Sequence, residues 1–355
     1  MAHALRQSPA GSSTLRRFAR RMDWDHVVAV ALIAPSAIAI AVFVYGFIAW
    51  SGWVSLLDWN QLLPLSGVFP DVPYQGWSTY ERLFGNDRFQ IDVRNTVVFT
   101  VIFVSACLGI GFSLAVLLDQ HIRGEDLFRN IFLFPMAISF IVTGVVWRWL
   151  LSPRAGVNIL LDNTLNPLLT ALGGQPVRPG WYTDATVLFI SPQSQFGQLL
   201  NTVGLSGLTS EKVGVPVAMF SIILAATWQM SGYVMALYLA GLRAIPEELR
   251  EAARVDGASE LQIYRHIIVP LLTPITLSAV IILAHISLKI FDLVVSLSFQ
   301  GPAFATDVPA LFMYVTTFQG SHFSQGAAIS IVMLLVISVL VIPYLIHSIR
   351  TEAER

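Results

Sequence analysis

Apolar residues fall into six blocks along the 355-residue chain, at about 27–57, 95–117, 127–151, 215–242, 267–298 and 326–349. A helix needs roughly 20 such residues to cross about 30 Å of hydrocarbon, and every block is long enough. The pattern therefore predicts an all-α integral membrane protein with six transmembrane helices. It divides the chain into an N-terminal segment 1–26, a first span 27–57, an outer loop 58–94, a five-span core 95–349 and a tail 350–355. Within the core lie a second outer loop, 152–214, broken at "LSPRAGVN" and "GGQPVRPG", and a charged loop, 243–266. No internal repeat or low-complexity tract interrupts this order.

The charged loop has its own pattern. Pro246 suits a first helical position, Glu247 and Glu248 suit the positive end of the helix that follows, and Gly257 can take the positive φ that ends it. Ser259 then stands three residues before Gln262 in a capping-box spacing, so a second helix starts at once and runs into the fifth block. A helix of about ten residues is marginal alone in water and must be held by packing. Leu249, Ala252, Ala253 and Asp256 recur at helical spacing, ringed by Glu247, Arg250, Glu251 and Arg254. That arrangement fits a docking surface; it also fits a solvated loop with ion pairs along one helix.

Composition agrees with the blocks: 55% of residues are hydrophobic and 12% charged, with a mean hydropathy of +0.67. The net charge of −1 offers no basic face for nucleic acid. Placement of the basic residues sets sidedness. Thirteen of the 21 Lys and Arg residues lie in the N-terminus, the 119–129 loop, the 243–266 loop and the tail, which are short compared with the other loops. The positive-inside rule then puts both termini and the charged loop in the cytoplasm. Arg16, Arg17, Arg20 and Arg21 resemble the start of a signal peptide, but the apolar block after them is about twice too long and is read as a retained span. Cys107, the single cysteine, sits in an apolar block and can form no intramolecular disulfide.

Several chemistries are excluded. The two lysines, Lys212 and Lys289, lack the G-x-x-x-x-G-K-[ST] setting of a phosphate-binding loop, and no zinc or nucleophile-elbow pattern is present. No metal site and no catalytic site is expected. Ser113 and His285, on separate spans, suggest an intramembrane hydrolase only weakly. Lys289 and Asp292 are spaced i, i+3 and form a candidate intramembrane charge pair, or snorkel toward the outer surface. Arg148, between Trp147 and Trp149, reads as an interface anchor. Trp228, Gln229, Ser231 and Tyr233 combine aromatic planes, an amide and hydroxyls near mid-membrane, the mixture a sugar path requires, although packing between helices would use the same side chains.

Beyond these readings, "EAARVDGA", eight residues and then "IIVP" resemble the EAA loop of permease subunits from ATP-binding-cassette (ABC) importers, departing only at Val269, where leucine is usual. "WQMSGYVMALYLAGLRAIP", "STYERLFGNDRFQIDVRNTVVFT" and "FDLVVSLSFQGPAFATDVPALFMYVTTFQGSHFSQGAAIS" are similar to maltose-type carbohydrate importers, from about residue 77 to the C-terminus, with 178–214 poorly covered. "VYGFIAWSGWVSL" and "FPMAISFIVTGVVWRWL" resemble glucose and mannose permeases most.

The resemblance implies a type I ABC importer permease fold and a non-enzymatic role. It assigns Glu251, Ala252, Ala253, Asp256, Gly257 and Ala258 to a coupling helix that docks on a cytoplasmic ATPase. It implies a second homologous permease, two ATP-binding subunits, an extracytoplasmic sugar-binding protein and surrounding membrane lipid as partners, in a bacterial-type inner membrane. No cofactor belongs to the chain itself, since ATP would be bound by a partner. Short α-glucosides or glycerol 3-phosphate are alternative cargoes, and a stand-alone ion-coupled transporter using Lys289 and Asp292 is the alternative of a different class.

Overall fold

The computed structural model describes residues 24–60, 72–120, 122–204, 207, 210 and 213–353. The N-terminal arginine cluster and residues 61–71 of the first outer loop lie outside the described residues. The chain forms two units, residues 1–53 and 54–355. In the first, α1 (Trp24–Ile40) passes through a π-helical turn, Ala41–Gly46, into α2 (Phe47–Val54). Its large apolar side chains, such as Leu32 and Phe43, are exposed, as in a helix that faces lipid.

In the second unit, α3 (Ser78–Phe84) precedes α4 (Asp87–Asp119), a span of 33 residues. This helix starts two turns ahead of the expected position because Asn86 caps it, accepting from the backbone N–H groups of Arg88 and Phe89. The third block is not straight. It splits into α5 (Glu125–Leu133) with a 3-10 turn, Phe134–Ala137, and α6 (Phe140–Leu150), bent by 100°. Pro135 supplies no N–H to its helix, and Ser139 restarts the chain by capping α6.

The second outer loop folds into α7 (Val157–Asn163), α8 (Leu165–Ala171), a two-residue strand β1 (Val187–Leu188), α9 (Gln195–Thr202) and β2 (Val215–Pro216), which pairs antiparallel with β1. The fourth span, α10 (Met219–Ala244), is the most buried, and its residues dominate the main core with Phe99, Phe103 and Cys107 of α4. After it come α11 (Glu247–Val255) and α12 (Glu260–Ile263).

The fifth block is also broken. The chain bends by 63° between α13 (Val269–Leu271) and α14 (Thr273–Leu288), where Pro270 and Pro274 flank the joint. It stops again before α15 (Asp292–Leu297), which packs on α6. Next, α16 (Pro309–Tyr314) continues through a π-helical turn, Val315–Gln319, and packs against α17 (Phe323–Ala353), the last span. Among the described residues, four helices are long and apolar enough to cross a membrane, and six if each bent pair counts as one span. Six spans were expected; two of the six blocks fold as bent helix pairs.

The bends are held by contacts across helices. Gln229 of α10 donates its side-chain N–H to the Ile138 carbonyl at 2.6 Å, in the break between α5 and α6. One turn on, a Cβ added at Gly232 would lie 1.9 Å from the Phe132 carbonyl oxygen, so only glycine lets the two backbones meet there. Tyr238 and Thr276 share a hydrogen bond of 2.9 Å between α10 and α14, and Thr100 and Ser287 one of 2.8 Å between α4 and α14. Such bonds contribute about 0.6 kcal/mol each in a membrane. Gly232→Val must push two backbones apart and is expected to destabilise by ~3 kcal/mol. Thermal unfolding of the solubilised protein would show this; a variant that melts with its parent means that the contact yields.

Candidate coupling site and membrane path

The expected helix, turn and helix are present in the charged loop. Pro246 is the N-cap rather than the first helical residue, and Glu247 and Glu248 occupy the first turn of α11. At the other end Gly257 takes φ +83°, its N–H donates to the Arg254 carbonyl, and the Ala258 N–H reaches back to the Ala253 carbonyl, both at 3.0 Å. These two bonds make a Schellman turn. A Cβ at Gly257 would meet nothing, so the demand for glycine comes from the backbone angle alone. Ser259 and Gln262 form the capping box that opens α12.

The six coupling residues divide between two sides. Ala253 and Ala258 are half-buried and pack on the main core, whereas Glu251, Ala252, Asp256 and Gly257 are exposed. Val255 joins that outer surface at 87% exposure. Behind the helix, Arg250 is nearly buried. Its guanidinium donates to Asp119 Oδ2 at 3.0 Å, at the C-terminal end of α4, and to the Leu242 carbonyl at 3.4 Å, near the C-terminal end of α10. Arg243 pairs with Glu125 at the start of α5. The ion pairs of Arg254 with Glu247 and Glu260 are solvent-exposed and contribute little. A cavity of about 980 Å³ opens beside α11, lined by Asp119, Arg243, Arg250 and Tyr264 among others.

The four path candidates on α10 do not share one surface. Gln229 and Ser231 are buried, and Gln229 is engaged at the α5–α6 break. Tyr233 is half-buried against the main core. Trp228 is 39% exposed, set edge-on to Trp147 with ring centroids 5.8 Å apart. Lys289 and Asp292 are both exposed and lie on either side of a helix break, Lys289 as the cap of α14 and Asp292 as the first residue of α15. No ion pair joins them among the described residues. Ser113 donates to the Gly109 carbonyl of its own helix at 2.7 Å.

The family model for "Binding-protein-dependent transport system inner membrane component" matches residues 107–349. The chain belongs to this family. The permease is 36% identical to a "Probable ABC transporter permease protein" of Pyrococcus horikoshii over 323 residues, which cover 91% of this chain and 96% of the relative. It is 31% identical to the xylose/arabinose import permease protein of Haloferax volcanii, covering 87% of this chain and 84% of that one. To the trehalose/maltose transport system permease protein of Thermococcus litoralis it is 27% identical, over 88% and 91%. Among solved structures, a chain of a bacterial ABC transporter that imports the acidic polysaccharide alginate superposes with a TM-score of 0.67 at 20% identity, over 94% of this chain and 99% of that chain. The fold is thus that of a type I ABC importer permease. The sugars for which these relatives are named are not glucose or mannose.

One polar cluster of the permease escaped the reading of its sequence. Arg88 of α4 pairs with Asp307 at 2.7 Å and lies between the rings of Phe304 and Phe312, 4.7 and 4.5 Å from their centroids. Asn95 donates to the carbonyls of Phe304 and Asp307, both at 2.9 Å. Together they hold the loop between α15 and α16, in which Phe299, Gly301, Ala303 and Phe304 all have positive φ. The signal was the spacing of Arg88, Asp92 and Asn95 on one helical face in a segment taken for loop.

Two outcomes follow from these clasps. Arg88→Ala leaves the fully buried Asp307 carboxylate unpaired and is expected to destabilise the permease by about 3–5 kcal/mol in thermal unfolding. Arg250→Ala frees α11 from α4 and α10, and amide hydrogen exchange across 247–258 should accelerate about tenfold. Unchanged exchange would show that packing of Ala253 and Ala258 alone holds the helix.

Proposed function

We propose that this permease is the membrane subunit of an ATP-driven sugar importer, carrying glucose, mannose or a related sugar, and that α11 couples it to a separate ATPase. The observation that carries the reading is the surface of α11. A nine-residue helix with no buried residue exposes Ala252 and Val255 among Glu248, Glu251 and Asp256, while Arg250 ties its back to two spans. An apolar spot within a charged rim, on a helix anchored to the membrane domain, suits docking of a protein that moves that domain.

The family and the sugar-named relatives support the assembly implied: a second permease, two ATP-binding subunits on the cytoplasmic side where α11 and both termini lie, and an extracytoplasmic sugar-binding protein. ATP-driven closure of the ATPase pair would draw the docking helices together and turn the cavity between the permeases outward; hydrolysis would return it inward. Trp228 follows Phe220 and Leu224 along the exposed stripe of α10. It would give a passing sugar ring an aromatic face, with Gln229, Ser231 and Tyr233 positioning the helix behind it.

Glu251→Lys reverses a charge on the docking face, and Gly257→Pro cannot adopt φ +83°. Each is expected to abolish ATP-dependent sugar uptake and retention of the ATPase in a pull-down, with the subunit still present in the membrane. Normal uptake in both variants would overturn the coupling role.

A further inference from the structure

The outer hairpin α7–α8 is built inside out. Asn158, Asp162 and Asn166 recur every fourth residue and turn inward onto the segment 177–181, while Asn163, Thr164 and Thr170 stay exposed. Asn158 donates to the carbonyls of Pro153 and Pro179, both at 3.0 Å, and accepts from the indole N–H of Trp181 at 2.8 Å. Asn166 exchanges two hydrogen bonds with the backbone of Val177. Asp162 accepts from Asn166 and pairs with Arg178 at 3.0 Å; these donors hold its carboxyl below the usual carboxylate range.

The opposite face carries uncovered leucines beside Asn163 and Thr164. Leu160, Leu168 and Leu172 are 63%, 62% and 84% exposed, and Ile159 and Leu165 flank them. Residues 155–172 contain one charged side chain, Asp162, already paired with Arg178. A water-facing hairpin would show the reverse arrangement, with its asparagines and aspartate outward.

The depth of the hairpin is set by its first contact. Gly156, just ahead of α7, approaches the Leu150 carbonyl so closely that a Cβ would lie 2.1 Å from the oxygen. Leu150 is the last residue of α6. The hairpin therefore begins against the outer end of the third span, next to Trp149, which is 65% exposed, where aromatic side chains mark the boundary between lipid and water. The exposed apolar face of α6, which includes Ile141, Val145 and Trp149, leads directly to it.

We infer that α7–α8 lies in the outer leaflet interface as a monotopic helical hairpin, with Leu160, Leu168 and Leu172 embedded among lipid acyl chains. The bilayer crossed by α6 is an apolar phase present at that depth. An uncharged leucine face needs no complementary partner to enter it, and Arg178 and Asp162 remain at the water side. The hairpin then holds the segment 177–181 on the membrane surface rather than projecting into solvent.

Site-directed spin labels test this. In a Cys107→Ala background, Leu160→Cys, Leu168→Cys, Leu172→Cys and, as a water-facing control, Gln175→Cys are each labelled. The full-length chain is reconstituted into phosphatidylcholine vesicles with the subunits that co-purify with it. Collision with oxygen, which concentrates in lipid, is expected to exceed collision with a water-soluble nickel chelate several-fold at the three leucine positions and to fall below it at 175. Chelate collision dominating at 160, 168 and 172 would show a face open to water and overturn the inference. Low collision with both reagents would show a covering protein subunit and overturn it equally.

Discussion

A membrane helix that turns through 100° strands backbone groups that lipid cannot satisfy, and the bond from Gln229 to the Ile138 carbonyl is what makes such a turn tenable here. The two residues are 91 positions apart. With that carbonyl satisfied and Gly232 seated on Phe132, α10 can lie directly against the elbow of α5 and α6. The elbow then aims α6 at α15, and the buried centre of the fold grows around α10 and α4. Polar side chains that would mark a solute site in an open channel become the structural pins of a bent helix.

The same economy governs the α11 end of the fold. The Schellman turn at Gly257 and the capping box at Ser259 join α11 to α12 without slack, and α12 leads into the kinked fifth span. Arg250 adds a second connection, to α4 and α10, through an ion pair with little solvent access and hence little screening. A force applied to α11 acts on three spans at once. Ala253 and Ala258 face the body of the permease while Glu251, Ala252 and Asp256 face away, so one short motif has an anchored side and an exposed side.

At the outer end the constraint is strain. Three non-glycine departures to positive φ, at Phe299, Ala303 and Phe304, are costly, and they persist because Arg88 and Asn95 fix the loop from α4. Stacking, ion pairing and carbonyl bonds converge on one guanidinium and one amide, which localises the rigidity of this face to a single helix end.

Hydropathy by itself located the apolar blocks in which the long helices lie, and local spacing determined the α11–α12 turn, because both depend on residues close together in the chain. The turn around Gly257 was legible for the same reason. Tertiary structure decided the rest. Nothing near Pro135 announces that its helix will bend by 100°, since proline is tolerated in a span whenever a distant group satisfies the freed backbone. Sequence spacing placed Lys289 and Asp292 on one face, but a break at residues 289–291 separates them. Gln229 was fit for a path or for packing until its partner on another helix was seen. The loop 152–214 was read from its Pro, Gly and Asn breaks, and its hairpin took shape only when its asparagines found the carbonyls of Pro179 and Val177. Side-chain chemistry is written in the sequence, but which neighbour consumes it depends on contacts between residues far apart in the chain.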